Sequence, residues 1–185
     1  MNYMIESNSE SALKPVTRTQ WQAWEPVIRA TLMFIVRDGE VLLIDKLTGI
    51  GEGKVNGPGG KIDPGETAEK AIIRECQEEL HITPLKPLKM GELCFAMSDI
   101  PDIHCHVFMA EEFTGEPKPT VEANPFWRKI AEIPYEKMWE DDQYWLPQML
   151  AGKQFFAQFD FTGEKIDWMD VRFGKETRED WLGED

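Results

Sequence analysis

Apolar residues recur along this 185-residue chain in two periods, and the switches between them lay out its elements. From Ala30 to Arg37 and from Glu40 to Asp45, runs of Val, Ile, Leu, Met and Phe flank Asp38-Gly39. That dipeptide supplies the positive φ of a tight turn, so two strands of a hairpin are predicted. Residues 47–65 interrupt the pattern with seven glycines and two prolines, which is loop composition. The period then lengthens: Ala68, Ile72, Cys76 and Leu80 recur every fourth residue, and at ~100° per residue they form one apolar arc. A helix over Thr67–Leu80 follows. Beyond it, Met90–Met97, Ile103–Phe113 and Phe126–Ile130 read as strands, and Asp141–Leu150 reads as a second helix with acidic residues in its first turn. Phe155–Phe161 and Lys165–Phe173 flank Thr162-Gly163 as a closing hairpin. Strands mixed with two helices and no internal repeat predict an α/β sandwich, with a mixed sheet packed between helices.

Size and charge narrow this further. A chain of this length with 42% hydrophobic residues has enough material for one well-buried core and too little for two domains. A single domain over residues 19–173 is therefore expected, between a polar, flexible leader (1–18) and a polar, mobile tail (174–185). Trp21 and Trp24 are the residues able to tie down the segment after the leader. The formal charge of −14 argues against binding polymeric nucleic acid, which needs clustered Lys and Arg, but leaves room for a nucleotide carried with a divalent cation. Three cysteines without metal-ligand spacing suit a reducing compartment. No basic N-terminal segment precedes an apolar run, and no stretch approaches 18 apolar residues, so a soluble, cytoplasmic, monomeric protein without a membrane partner is expected.

The chemistry concentrates on the first helix. Glu75, Glu78 and Glu79 stand at i, i+3 and i+4 and share one face. Acid-rich helix faces are commonly just solvated. Here, however, Glu75 and Glu79 border the apolar arc, where unpaired carboxylates would be costly. A hard cation such as Mg²⁺, Mn²⁺ or Ca²⁺ between them removes the conflict. The glycine-rich loop just before the helix lets backbone approach such a site, with Gly59, Gly60 and Lys61 in position to meet metal or phosphate.

The stretch GKIDPGETAEKAIIRECQEELHI, residues 60–82, resembles the signature of the Nudix hydrolase family, G-x5-E-x7-R-E-U-x-E-E-x-G-U with U apolar. Gly60, Glu66, Arg74, Glu75, Glu78 and Glu79 occupy the fixed positions, and Cys76 and Ile82 the apolar ones. His81 stands where the family has glycine, which puts the helix exit turn in question. The resemblance implies a Nudix-type α/β/α sandwich and a Mg²⁺ cofactor, with Mn²⁺ as substitute, held by Glu75, Glu78, Glu79 and Gly59. It implies further that Arg74 orients a glutamate and that Glu78, Glu79 or Glu122 serves as general base, a choice left open. Glu66 reads equally as a structural residue, its charge favoured at a helix start.

Two further segments, KVNGPGGK (54–61) and MWEDDQYWLP (138–147), resemble the oxidised-purine nucleoside triphosphatases of that family, and the likeness runs from about Ala30 to Phe173. By this resemblance Asn56 would hydrogen-bond one purine edge, Asp141 and Asp142 would read the other, and Trp139 would stack on the ring. Thr31, Phe95 and Lys46 would also contact the substrate. Two neighbouring carboxylates in an enclosed pocket also push one pKa up, and a neutral carboxyl can donate as well as accept. Ile50, Val55 and Pro58 replace aromatics of the resembled enzymes, so the pocket wall is expected to differ. The implied reaction converts an oxidised purine nucleoside triphosphate to its monophosphate and pyrophosphate, which would cleanse the nucleotide pool. The alternatives are a Nudix hydrolase for ADP-ribose or a dinucleoside polyphosphate, and a Nudix module that binds a nucleotide without cleaving it.

Overall fold

In the computed structural model, which describes residues 19–182, the chain builds a mixed sheet with helices against both faces. The strands in chain order are β1 (Ile28–Arg37), β2 (Glu40–Lys46), β3 (Val55–Asn56), β4 (Ile82–Leu85), β5 (Leu88–Met97), β6 (Ile103–Ala110), β7 (Glu112–Gly115), β8 (Ala123–Lys129), β9 (Phe155–Thr162) and β10 (Lys165–Phe173). Helix α1 spans Ala68–Leu80, α2 Asp142–Leu150 and α3 Arg178–Leu182. The main sheet runs β10-β9-β5-β6-β1-β2-β3, with β8 also paired to β2. β1/β6 and β5/β9 are parallel, and the other pairs are antiparallel. The expected leader, residues 1–18, lies outside the described residues.

Period-two alternation sends each strand's side chains to opposite layers. Met33, Ile35, Leu42 and Ile44 pack with Ile72, Cys76 and Leu80 of α1. Their neighbours Phe34, Val41 and Leu43 turn the other way, onto Trp145, Leu146 and Met149 of α2. α1 covers only the β1/β2 half of its face. Over the other half, Trp21 and Trp24 pack on Cys94, Ala96, Phe156 and Trp168, so an aromatic pair in the segment before β1 stands where a second helix would otherwise lie.

Several expected boundaries shift for identifiable reasons. The run Ile103–Phe113 is two strands, because β7 leaves the main sheet after Ala110 and pairs with β4. β4 itself, containing Pro84, gave no periodic signal. Within the glycine-rich loop, Val55 and Asn56 form the short edge strand β3 opposite Asp45 and Ile44. The expected mobile tail is tied back as far as α3: Arg178 Nη2 donates to the Trp21 carbonyl at 3.2 Å, and the Arg178 N–H donates to Glu92 Oε2 at 3.2 Å.

The exit of α1 answers the question raised by His81. Thr67 caps the start, its hydroxyl accepting from the Lys70 N–H at 3.3 Å. At the other end His81 takes the left-handed conformation itself, with φ 61° and ψ 30°, and its N–H reaches the carbonyls of Cys76 and Gln77. The family's glycine geometry is therefore kept by a residue that is strained in it.

Candidate active site

The loop Gly57–Lys61 is pinned across β1 by two backbone bonds, Thr31 N–H to Gly60 O and Met33 N–H to Pro58 O, each 2.8 Å. This brings it against α1, and two glycines make the approach possible. A Cβ on Gly59 would sit 2.0 Å from the Thr31 carbonyl oxygen, and one on Gly60 would sit 2.4 Å from the carboxyl carbon of Glu75. The Glu75 carboxylate thus fills the space that a side chain at position 60 would take.

Two sets of partners hold the three glutamates of the helix face. Glu79, only 1% exposed, accepts the Gly59 N–H at 2.9 Å and the Lys46 ammonium at 3.3 Å. Arg74 grips Glu66 with two prongs, Nε to Oε1 at 3.0 Å and Nη2 to Oε2 at 2.8 Å. Its Nη1 donates to Glu75 at 2.8 Å and to Glu78 at 3.2 Å, and Nη2 also reaches the Lys61 carbonyl at 3.0 Å. Arg74 therefore hydrogen-bonds three carboxylates, lies 3.9 Å from a fourth, Asp63, and fixes the loop to the helix. Glu66 precedes the cap residue Thr67, and its carboxylate serves Arg74 and the Asp63 N–H rather than the helix dipole. The Arg74 contact lowers the Glu66 pKa.

Burial raises the carboxyl pKa of both Glu75 and Glu79. Arg74 opposes this at Glu75, where Glu78 and Glu122 add repulsion, and Lys46 with the Gly59 N–H opposes it at Glu79. Glu78 lies on the exposed rim of the group. An oxygen-only donor set in which desolvation works against the charge fits a hard divalent cation. Glu75, Glu78, Glu79 and the Gly59 carbonyl are the groups that would hold it. Glu122 is exposed on the loop before β8, whose backbone carbonyl anchors the Leu47 N–H at 2.9 Å, and it borders the same cleft.

The cleft continues into a cavity of about 280 Å³, near the lower end of the range of ligand sites at roughly 300 Å³. Lys46, Gly59, Gly60 and Glu122 line it, and so do Asn56, Trp139, Asp141 and Asp142. Asp141 and Asp142 are 2% and 3% exposed. One oxygen of each is committed: Trp145 Nε1 donates to Asp141 Oδ2 at 2.9 Å, and the Trp139 N–H donates to Asp142 Oδ2 at 3.0 Å. Burial pushes the Asp141 carboxyl up to about 6. Burial and then the neighbouring Asp141 charge push Asp142 well above the usual carboxylate range. The pair thus favours sharing a proton at neutral pH. Asn56 Oδ1 accepts the Gly57 N–H at 2.8 Å, which leaves its amide nitrogen as the donor it can offer.

The remaining expected contacts are distributed unevenly. Trp139 meets Phe161 edge-on with centroids 6.1 Å apart, and the Lys54 ammonium lies 4.8 Å from the Trp139 ring centroid. Phe95 stacks on Phe159 at 5.7 Å in the cavity wall. Thr31 lines the cavity, but its hydroxyl faces the Gly60 carbonyl at 3.3 Å, and Lys46 is engaged with Glu79. Of the three positions expected to reshape the wall, only Ile50 lines the cavity, while Val55 and Pro58 are buried away from it. Sequence reasoning missed Lys54 over the Trp139 ring, and it missed the apolar wall of Leu93, Met97, Ile103 and Phe161. In sequence, such strand residues look like any core residue.

Comparison with known proteins agrees with this geometry. The family model described as the NUDIX domain matches residues 26–149. An oxidized purine nucleoside triphosphate hydrolase of Danio rerio is 40% identical over 139 residues, covering 74% of this chain and 88% of that protein. Its namesake in Mus musculus is 36% identical over 132 residues, covering 71% and 85%. Among solved structures, the MutT protein of Bacillus halodurans superposes with a TM-score of 0.70 at 25% identity, over 78% of this chain and 97% of that one. With its carboxylate helix, its glycine loop and this match across most of its length, the chain belongs to the Nudix hydrolase family.

Proposed function

We propose that the protein hydrolyses oxidised purine nucleoside triphosphates of the 8-oxo-dGTP type to the nucleoside monophosphate and pyrophosphate, with Mg²⁺ as cofactor and Mn²⁺ as its substitute. The observation that carries this reading is one cleft that joins two chemistries: Glu122 with the Gly59–Gly60 loop that packs on Glu79 and Glu75, and a buried aspartate pair with Asn56. Two relatives named for oxidised purine nucleoside triphosphates, and a shorter match to the 8-oxo-dGTP diphosphatase of Escherichia coli, support the same substrate class.

At the purine end, Asn56 offers a donor and the aspartate pair offers both a donor and an acceptor, since one of its carboxyls keeps a proton. Trp139 supplies an aromatic face for the ring, which gives affinity without discrimination. The buried polar groups supply the discrimination, because a base lacking the matching edge leaves them unpaired. At the phosphate end, Glu75, Glu78, Glu79 and the Gly59 carbonyl would hold a divalent ion, which would neutralise phosphate charge and make a bound water more acidic. Water oxygen bonds to the β-phosphorus as the bond from that phosphorus to the α–β bridging oxygen breaks. The monophosphate leaves with the bridging oxygen, and the water's proton passes to a carboxylate. Glu79 is buried and tied by Lys46 and the Gly59 N–H, so the exposed Glu78, engaged by Arg74 alone, and Glu122, which lines the cleft, are the carboxylates better placed to accept it. Arg74 holds Glu75 and Glu78 in place.

The test measures Mg²⁺-dependent pyrophosphate release from 8-oxo-dGTP and dGTP. Wild type is expected to prefer the oxidised base. Glu78→Gln is expected to lose roughly 100-fold or more in kcat with an unchanged melting temperature, the scale of a lost base. Asp141→Asn is expected to lose roughly 10-fold or more of the preference between bases. Equal rates on the two nucleotides would overturn the substrate assignment, and full activity in Glu78→Gln would overturn the role given to that residue.

A further inference from the structure

On the sheet face opposite the cavity, β5 and β6 bring together three side chains that the hydrolytic reaction does not use. The antiparallel register sets Glu92 directly across from His106, with His104 two residues away on the same face. His104 Nε2 lies 2.7 Å from Glu92 Oε2, and His106 Nδ1 lies 3.3 Å from Glu92 Oε1. One potential ligand atom from each of the three falls within 4.8 Å of the others. The two imidazole rings are 4.6 Å apart, centroid to centroid. Glu92 is 2% exposed and His106 7%.

His106 gives this cluster its meaning. Among the described residues, neither of its ring nitrogens has a hydrogen-bond partner, although both are buried. Its approach to Glu92 is an ion-pair distance without hydrogen-bond alignment. A buried imidazole with two unanswered nitrogens is costly. Glu92, by contrast, is well partnered: it accepts from the Lys89 ammonium and from the Arg178 N–H at 3.2 Å, and His104 Nε2 lies against its Oε2.

We propose that Glu92, His104 and His106 form a binding site for a divalent transition metal of the Zn²⁺ class, separate from the Mg²⁺ site of the hydrolytic cleft. The donor set decides the class. Two imidazoles and one carboxylate suit Zn²⁺, Co²⁺ or Ni²⁺, whereas the all-oxygen set of Glu75, Glu78 and Glu79 suits Mg²⁺. Ligands about 2.1 Å from a tetrahedral ion stand roughly 3.4 Å apart. The His106–Glu92 separation of 3.3 Å matches this, and His104, now 2.7 Å from the other Glu92 oxygen, would draw back to admit the ion. The site is distinct from the purine cavity because strand alternation separates them: Leu93, Phe95, Ile103 and Cys105 face the cavity, and Glu92, His104 and His106 face away. Its surroundings assign it a structural role. Arg178 reaches Glu92 through its N–H and Trp21 through its guanidinium, and Trp24 meets His104 edge-on at 6.3 Å. An ion here would brace β5 against β6 beneath the two segments that pack on these residues, the one before β1 and the one after β10. Lys89, the cation now donating to Glu92, would have to swing out toward solvent, where its side chain is already 30% exposed.

The experiment titrates chelator-treated protein with Co²⁺ and reads visible absorption, since four- or five-coordinate cobalt absorbs strongly and octahedral oxygen-ligated cobalt weakly. Wild type is expected to develop an intense band with one equivalent of Co²⁺. Zn²⁺ should abolish the band, whereas excess Mg²⁺ and the Glu78→Gln substitution should leave it intact. His104→Gln, at the rim, is expected to weaken binding by at least about 10-fold, since loss of even an outer partner costs that much. Lys89→Gln removes the competing ammonium and is expected to tighten binding, a gain that a destabilised fold would not produce. No intense band in wild type, or a band lost in Glu78→Gln and kept in His104→Gln, would overturn the proposal.

Discussion

At the scale of single residues, the cost of His81 can be measured. Its side chain is exposed and its φ is 61°, so it carries backbone strain with little packing in return. His81→Gly is expected to raise stability by about 1 kcal/mol, read as a higher thermal or urea midpoint. A lower midpoint would mean that the imidazole has a structural partner. The aspartate pair makes a second, pH-dependent prediction. The folded-state pKa of Asp141 is raised to about 6 from an unfolded value near 3.8. A raised carboxyl contributes its stability fully below the unfolded pKa and loses it as pH rises through the folded one. Stability attributable to Asp141 therefore falls between about pH 4 and pH 6. Asp141→Asn keeps the acceptor for Trp145 Nε1 and removes the titration. Its melting temperature is expected to depend less on pH across that window, as followed by circular dichroism, and an unchanged slope would remove the raised carboxyl from the account.

At the scale of elements, each half of the sheet's α1-side face has a different cover. α1 supplies an apolar arc over β1 and β2, and Trp21 with Trp24 supplies aromatic bulk over β5 and β9. Trp24 is 5% exposed, and its Nε1 donates to Asp102 Oδ2 at 2.8 Å. Trp24→Ala is expected to cost about 3–5 kcal/mol, the usual range for emptying a buried Trp site. The cavity lies on the opposite face and the α1 glutamates over the other half of this one, so kcat/KM measured well below the new melting point is expected to stay within about twofold of wild type. A loss of activity in step with stability would place the aromatic pair in contact with the cleft. The central parallel pair depends on a single glycine: a Cβ on Gly91 would lie 2.1 Å from the Phe155 carbonyl oxygen. Gly91→Ala must therefore push β5 and β9 apart.

At the scale of the whole molecule, a net charge of −14 and the local basic residues act at different ranges. Among the described residues, Lys46, Lys54 and Arg74 are each engaged by carboxylates, which leaves Lys61 in the cleft lining as a single cation rather than part of a basic strip for a polyanion. Labelled single- or double-stranded DNA is expected to show no anisotropy change with up to about 10 µM protein at 0.1 M salt, the behaviour of a surface without clustered Lys and Arg. Saturable binding would reveal a basic surface that the fold does not display. Among the described residues, no helix is long and apolar enough to cross a membrane.

The sequence by itself determined the two strands around Asp38-Gly39, the limits of α1, the spacing of its glutamates and the need for glycine before them, because each follows from periodicity or backbone geometry local to a few residues. The same locality explains its failures. A strand that changes sheets at Glu111 keeps its alternation, and the cavity wall of Leu93, Met97 and Ile103 has the apolar pattern of any core strand. The position of Lys46 against Glu79, 33 residues apart, depends on how a hairpin and a helix dock. Only the tertiary structure decided that Arg74 binds Glu66 as well as the helix carboxylates, that the tail folds back onto Trp21, and that Glu92 meets two histidines across a strand pair. These contacts arise from register and docking, which bring together residues that no sequence period relates.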